Sequence, residues 1–196
     1  YMEVLIIIGL VLLNGIFSMS EMALVSSRKF KLESRKKKGS AGAQTALELS
    51  ENPNVFLSTI QIGITVIGIF LGMYSGENLT DDLAEIFAKV EIFRPYAHLI
   101  GKITILVVVT YLSIVLGELL PKRIGMTFPE SITILLAKPM KFLSILTSPF
   151  VWFLSFSNDL LLKLLGIKNR SESTISEEEI KSIIKDSAEG GEIQNI

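Results

Sequence analysis

Residues 4–25 read VLIIIGLVLLNGIFSMSEMALV, an apolar block interrupted only by Asn14, Ser18, Ser20 and Glu21. Two further apolar blocks follow, at residues 55–75 and 103–120. Each has close to the roughly 20 residues that a helix needs to cross the hydrocarbon core of a bilayer. A cleaved signal peptide is the alternative for the first block, but no basic segment precedes it and its polar residues lie in mid-block. The pattern predicts an all-α membrane protein with three transmembrane helices.

A fourth apolar block, residues 139–165, leaves two arrangements open, because it either crosses the membrane or lies along its interface. Pro139 and Pro149 predict that the block is divided into short helices, since proline breaks or kinks a helix. Lys138 and Lys141 suit a helix that lies among lipid headgroups. We therefore favour juxtamembrane helices over residues 129–165 and count three spans.

Charge asymmetry predicts the orientation of the chain in the cell membrane. Residues 28–52 carry seven basic and three acidic side chains, a net charge of +4. Residues 76–102 carry three basic and five acidic side chains, a net charge of −2. Because basic loops remain in the cytoplasm, we expect the N-terminus outside, the first loop and the C-terminus in the cytoplasm, and the second loop outside.

The domain organisation follows from these segments. Residues 1–166 are predicted to form a transmembrane domain, in which residues 28–51 are a cytoplasmic-side juxtamembrane element, basic and amphipathic, interrupted at residues 39–42. Residues 167–196 are predicted to be a connector. Ser176 and Glu179 have the spacing of a capping box at the start of a helix. No core follows that helix, so we expect the connector to lead to a cytoplasmic domain.

Composition excludes several classes of function. The chain of 196 residues has a net charge of −1, so no basic field predicts nucleic-acid binding. It has no cysteine, which excludes disulfides and zinc–thiolate sites, and its one histidine, His98, leaves little material for a catalytic triad or a His-rich metal site. No nucleophile–base pair or cofactor loop is visible, so we do not expect an enzyme. Any bound cation must be held by oxygen, which favours Mg²⁺, Ca²⁺ or Na⁺.

Polar residues at membrane depth are costly and normally face protein or water. Helical spacing places one such stripe on each of the first two spans. The first stripe comprises Asn14, Ser18 and Glu21, and the second comprises Gln61, Thr65, Gly68 and Gly72. The two glycines form a small-xxx-small step that lets helices approach closely, and packing is one explanation of the second stripe.

The third span ends in GELLPK, residues 117–122. Pro121 has no N–H and clashes with the carbonyl four residues earlier, that of Gly117. A freed carbonyl beside the carboxylate of Glu118 is an oxygen pair suited to a cation. The alternative is that Glu118 only pairs with Lys122, since i, i+4 is the favourable order for an ion pair on a helix.

Three motifs together resemble the membrane domain of the CNNM/CorC family: NGIFSMSEMAL at residues 14–24, TIQIG at residues 59–63 and GELLPK at residues 117–122. The resemblance implies three spans, an external N-terminus and a cytoplasmic belt of juxtamembrane helices. It also implies a homodimer and a C-terminal pair of CBS domains that bind ATP with Mg²⁺ and are absent from this chain. The implied activity is Mg²⁺ efflux coupled to Na⁺ entry.

The resemblance also indicates ion-site residues, position by position. Ser18 and Glu118 are the strongest candidates, followed by Asn14, Glu21, Gly63 and Gly117. Many family members have asparagine directly after the glycine of the second span, where this chain has Ile64, so Gln61, Thr65 or a carbonyl would substitute. Two other functions stay open: an ion-binding sensor that regulates magnesium homeostasis without transport, and a structural anchor whose polar stripes only join helices.

Overall fold

The computed structural model describes residues 2–167, and every regular element in this range is helical. The α-helices are α1 (Met2–Ser26), α2 (Lys29–Lys37), α3 (Ala41–Glu51), α4 (Pro53–Tyr74), α5 (Glu77–Ala88), α6 (Ala97–Ile114), α7 (Leu120–Thr127) and α8 (Pro129–Leu164). A 3₁₀ turn, Arg94–Tyr96, precedes α6, and a π-helical segment, Val115–Leu119, joins α6 to α7. The predicted all-α class is confirmed. The predicted connector, with its helix at Ser176, lies outside the described residues.

Four helical stretches of the described range are long and apolar enough to cross a membrane, rather than the three predicted. They are Met2–Ser26, Pro53–Tyr74, Arg94–Thr127 and Pro129–Leu164, with mean hydropathies of 2.2, 2.1, 2.3 and 1.4. The third extends well beyond the predicted residues 103–120 at both ends, because the π-helical segment continues α6 into α7. By length and composition alone, α8 therefore joins the other three as a candidate span.

The prediction that Pro139 and Pro149 divide the fourth block into short helices is wrong. Both prolines lie inside α8, which continues for 36 residues. Proline removes one N–H donor and bends the helix at that point, but the hydrogen bonds on either side of it can carry the helix through. A first compact unit ends at Val151 and a second begins at Trp152, so the boundary lies within α8. In the second unit the rings of Trp152 and Phe156 stack 5.8 Å apart.

The backbone of α1 lies in direct contact with the C-terminal half of the third helical stretch. A Cβ atom added at Gly15 would lie 2.9 Å from the Leu116 carbonyl oxygen, and one added at Gly125 would lie 2.6 Å from that of Met19. Such distances leave no room for a side chain. Glycine at both positions therefore allows α1 to pack directly on the π-helical segment and on α7.

The contact between α1 and α4 is made by a ring over a glycine. A Cβ atom added at Gly63 would lie 2.8 Å from the ring of Phe17, which is itself buried. By contrast, a Cβ atom added at Gly68 or Gly72 would have no atom of the chain within 4 Å. Among residues 2–167, no other helix packs against the predicted small-xxx-small step of α4.

The predicted interruption of the first juxtamembrane element is confirmed, because α2 and α3 are separate helices. Gly39 has φ of 92°, a left-handed conformation that glycine adopts without strain. Ser40 then caps α3 by accepting a hydrogen bond from the Ala43 N–H at 3.2 Å. The break lets α2 and α3 pack against each other as a helical hairpin.

Polar contacts attach α8 to this hairpin and to the end of α1. The Glu130 carboxylate accepts a hydrogen bond from the Arg28 N–H at 3.2 Å and lies 3.9 Å from the Lys31 ammonium. Farther along α8, the Lys141 ammonium donates to the Glu48 carboxylate of α3. This hydrogen bond, together with the positive charge of Lys141, holds the pKa of Glu48 below its ordinary value. The first part of α8 is therefore fixed at both ends of the hairpin.

The close approach of α1 and α7 makes a prediction. Gly125→Ala should lower the free energy of unfolding by about 1–3 kcal/mol, because overpacking at a backbone contact forces the helices apart. Gly9→Ala is the matched control: a Cβ atom there meets no described atom within 4 Å, and the higher helix propensity of alanine should leave stability unchanged or raise it by up to about 1 kcal/mol. Thermal unfolding in one detergent measures both. Equal effects of the two substitutions would contradict the packing described for Gly125.

Candidate cation site

A hydrogen bond between α1 and the π-helical segment lies at the centre of the candidate site. The side-chain amide of Asn14 donates to the carbonyl oxygen of Gly117 at 3.1 Å, and both residues are buried. Pro121 is buried against Gly15 and has no N–H to offer this carbonyl. The structure thus brings together Asn14, Gly117 and Pro121, three of the residues selected from the sequence.

Ser18 follows Asn14 by one helical turn in α1 and has 1% of its surface exposed. Its Oγ is the one buried side-chain polar atom without a hydrogen-bond partner in the described range. Ser20 in the same helix and Ser27, the residue that follows the helix, instead donate to the carbonyl four residues earlier, at 2.8 and 2.7 Å. A buried unsatisfied hydroxyl costs about 1–3 kcal/mol, so this position is one where a ligand oxygen or a cation would be favoured.

The two candidate carboxylates, Glu118 and Glu21, are more exposed than Ser18. Glu118 follows Gly117 in the π-helical segment, but its side chain is exposed, and Glu21 is half-buried. Within residues 2–167, no ion pair joins Glu118 to Lys122 or Glu21 to Arg28. Lys122, the alternative ion-pair partner of Glu118, is half-buried. The simple pairing alternative for Glu118 therefore has no support, and its carboxylate is not enclosed with Ser18.

The second span does not turn its predicted polar stripe inward. Gln61 and Thr65 are exposed, whereas Thr59 is 1% exposed and was not selected from the sequence. Thr59 Oγ1 donates to the Val55 carbonyl at 2.9 Å and lies 3.4 Å from Thr147 Oγ1 of α8. Two residues along a helix correspond to a rotation of about 200°. That rotation explains why Thr59 is buried while Gln61 is exposed.

The donor set available to a cation is made of neutral oxygens and few carboxylates. Residues 2–167 contain no cluster of three or more histidine, cysteine, aspartate or glutamate side chains that could hold a metal. Mg²⁺ is compatible with such a set, because it keeps several waters and needs only one or two carboxylates.

A second polar cavity, of about 500 Å³, lies at the opposite end of α4 from the α2–α3 hairpin. It is lined by Ser75, Thr80, Asp81, His98 and Lys102 among others. His98 Nε2 is 3.4 Å from Asp81 Oδ1, and both side chains are exposed. Sequence reasoning missed this cavity, because Asp81 and His98 belong to different helices and share no motif.

Comparison with known proteins identifies the family whose sequences this chain matches. Residues 5–196 match the family described as the cyclin M transmembrane N-terminal domain (CNNM). The chain is 44% identical to the UPF0053 protein sll0260 of Synechocystis over 98% of its length, and 32% identical to the UPF0053 protein YrkA of Bacillus subtilis over 94%. It is 28% identical to the polyamine export protein of Escherichia coli over 96%.

The similarity reaches only part of each relative. The chain covers 43% of sll0260, 43% of YrkA and 42% of the polyamine export protein. The chain thus spans less than half the length of these relatives, and the shared part is the membrane domain.

The Asn14–Gly117 hydrogen bond makes a second prediction. Asn14→Ala should lower the free energy of unfolding by about 1–3 kcal/mol, because it leaves the buried Gly117 carbonyl without its donor. Ser20→Ala is the control, since its acceptor lies within the same helix, and it should cost less than about 1 kcal/mol. Chemical unfolding of both variants in detergent measures the difference. An Asn14→Ala variant as stable as Ser20→Ala would show that the hydrogen bond does not hold the two helices together.

Proposed function

Since the chain belongs to the CNNM family of transmembrane domains, we propose that it is a membrane transporter that exports Mg²⁺ in exchange for Na⁺. The family and the apolar helices make it a multi-pass membrane protein. The observation that carries the proposal is the unsatisfied Oγ of Ser18, buried one turn from the Asn14–Gly117 hydrogen bond. A permanent structural role would leave that hydroxyl with a partner, as it does for Ser20 and Ser27.

Glu118 supplies the negative charge of the proposed site. A dehydrated divalent cation needs at least one carboxylate to offset the loss of water. Glu118 is joined through one peptide bond to Gly117, whose carbonyl already contacts α1. π-helical segments occur frequently at functional sites. The exposed carboxylate would therefore receive the cation at the edge of the site, and Ser18 and Asn14 would complete its oxygen ligands.

A homodimer is part of the proposal. Gln61, Thr65, Gly68 and Gly72 lie on the exposed face of α4, and no other helix in the described part of the chain covers the two glycines. An exposed glutamine and threonine at membrane depth need polar partners. A second copy packed on this face would supply them, and the small residues would allow close approach.

We also propose that the part of α8 up to Val151 lies along the membrane interface, with the N-terminus of the chain outside and its C-terminus in the cytoplasm. Thr147 lies about 27 Å along α8 from Pro129, yet it meets Thr59, only about 9 Å from the start of α4. A helix crossing beside α4 would reach the far end of α4 over that distance. Contacts of Ile134 with Gly42 and of Lys141 with Glu48 also keep α8 beside the hairpin.

Two other functions are alternatives to Mg²⁺ export, and the experiment below distinguishes them from it. Polyamine export is suggested by the name of the Escherichia coli relative. A polyamine is an extended chain of charges, and the compact set of neutral oxygens around Ser18 fits it less well than a small ion. The second alternative is a sensor that binds Mg²⁺ and regulates another protein without transport.

Flux in proteoliposomes tests the proposal. The parent protein should move Mg²⁺ when a Na⁺ gradient is imposed, and Ser18→Ala and Glu118→Gln should each reduce the rate by about tenfold or more, as expected for loss of a metal ligand. Glu85→Gln, which removes a carboxylate from α5, is the matched control and should transport like the parent. A Mg²⁺-sensitive dye inside the vesicles reports the rate.

The outcomes separate the alternatives. Normal Mg²⁺ flux in both site variants would refute the site. Spermidine flux without Mg²⁺ flux would favour polyamine export. Mg²⁺-dependent thermal stabilisation of the parent without any flux would favour the sensor.

The position of α8 is tested by cysteine labelling, because the chain has no cysteine of its own. Single substitutions Ser40→Cys and Ser148→Cys should react with an impermeant maleimide from the same side of the membrane, and Glu91→Cys should react from the other. Labelling of Ser148→Cys from the side of Glu91→Cys would show instead that α8 crosses.

A further inference from the structure

We infer that α2 is a docking site for the headgroups of anionic phospholipids. The helix begins three residues after the 25-residue apolar helix α1 ends, so its backbone starts at the edge of the hydrocarbon layer. Residues 28–38 carry seven basic side chains and a single acidic one, Glu33. Lipid phosphates are the complementary charges present at that depth.

Contacts with the hydrophobic core and with α8 fix the orientation of α2 and leave its basic side chains exposed. Leu32 is 1% exposed and anchors α2 in the hydrophobic core. On one flank, Lys31 lies near the Glu130 carboxylate and the Arg35 guanidinium donates to Ser131 Oγ at 3.3 Å, both on α8. These two cations therefore have protein partners. Because the helix is held on two sides, its remaining cations are displayed on a rigid surface at little entropic cost.

The remaining face combines cations with an aromatic ring. Lys29, Phe30, Lys36 and Lys37 are all exposed. Helical spacing places Phe30 and Lys37 opposite Leu32, and it places Lys29 and Lys36 on the flank of Leu32 that faces away from Lys31 and Arg35. Phe30 is 63% exposed, an unfavourable position for a phenyl ring in water. Insertion of the ring between acyl chains, with lysines at the phosphate level, satisfies both groups. This combination is typical of interfacial amphipathic helices.

Lipid binding by the whole protein tests this inference. The full-length protein is purified in detergent. Phosphatidylglycerol and phosphatidylcholine are then added in separate titrations, and native mass spectrometry counts the bound lipids. The parent should retain phosphatidylglycerol in preference to phosphatidylcholine. The triple variant Lys29→Gln, Lys36→Gln, Lys37→Gln should bind phosphatidylglycerol more weakly, by about fivefold for each cation removed.

The control removes the same number of exposed cations from the other end of the bundle. Lys89→Gln, Arg94→Gln, Lys102→Gln should bind phosphatidylglycerol like the parent. Phe30→Ser should weaken retention of both lipids, since the ring contacts acyl chains rather than headgroups. Unchanged phosphatidylglycerol binding in the α2 variant, an equal loss in the control, or displacement of the lipid by inorganic phosphate alone would each overturn the inference.

Discussion

The packing of α1 directly against the backbone of the third helical stretch is the constraint on which the rest of the structure depends. Gly15 and Gly125 permit that approach, and Asn14 donates across it to the Gly117 carbonyl. Helices in lipid gain little from burying apolar surface against each other, so close packing and interhelical hydrogen bonds must hold them together. The same helix α1 carries the buried hydroxyl of Ser18, one turn after Asn14. Stability and the candidate cation site therefore rely on one interface.

Much of this arrangement could be predicted from the sequence, because its causes are local. Apolar blocks of the required length located α1, α4 and the third stretch, and Gly39 marked the break between α2 and α3. The lack of an N–H at Pro121 predicted a freed carbonyl at Gly117, although not that Asn14 would donate to it. Helical spacing placed Asn14 and Ser18 on one face, but it did not show which neighbour that face meets.

The rest depends on tertiary contacts that spacing does not encode. Gln61 and Thr65 formed a regular stripe, yet the rotation of α4 about its axis is set by the packing of Gly63 under Phe17, which turns Thr59 inward instead. The two prolines of α8 indicated breaks, but the contacts of that helix with α3 and α4 support a continuous element. The His98–Asp81 cavity combines residues from two helices and has no linear signature.

The π-helical segment between α6 and α7 also sets the phase of everything that follows it. A π turn accommodates one residue more than an α turn, which shifts the downstream face by about 100°. That extra residue is what directs Gly125 at α1, where a bulkier neighbour could not fit. A one-residue deletion within residues 115–119 would restore ideal helical geometry and leave the hydropathy almost unchanged, yet it would rotate α7 away from its partner. In this family, the number of residues in that turn should be under stronger selection than the identity of most of them.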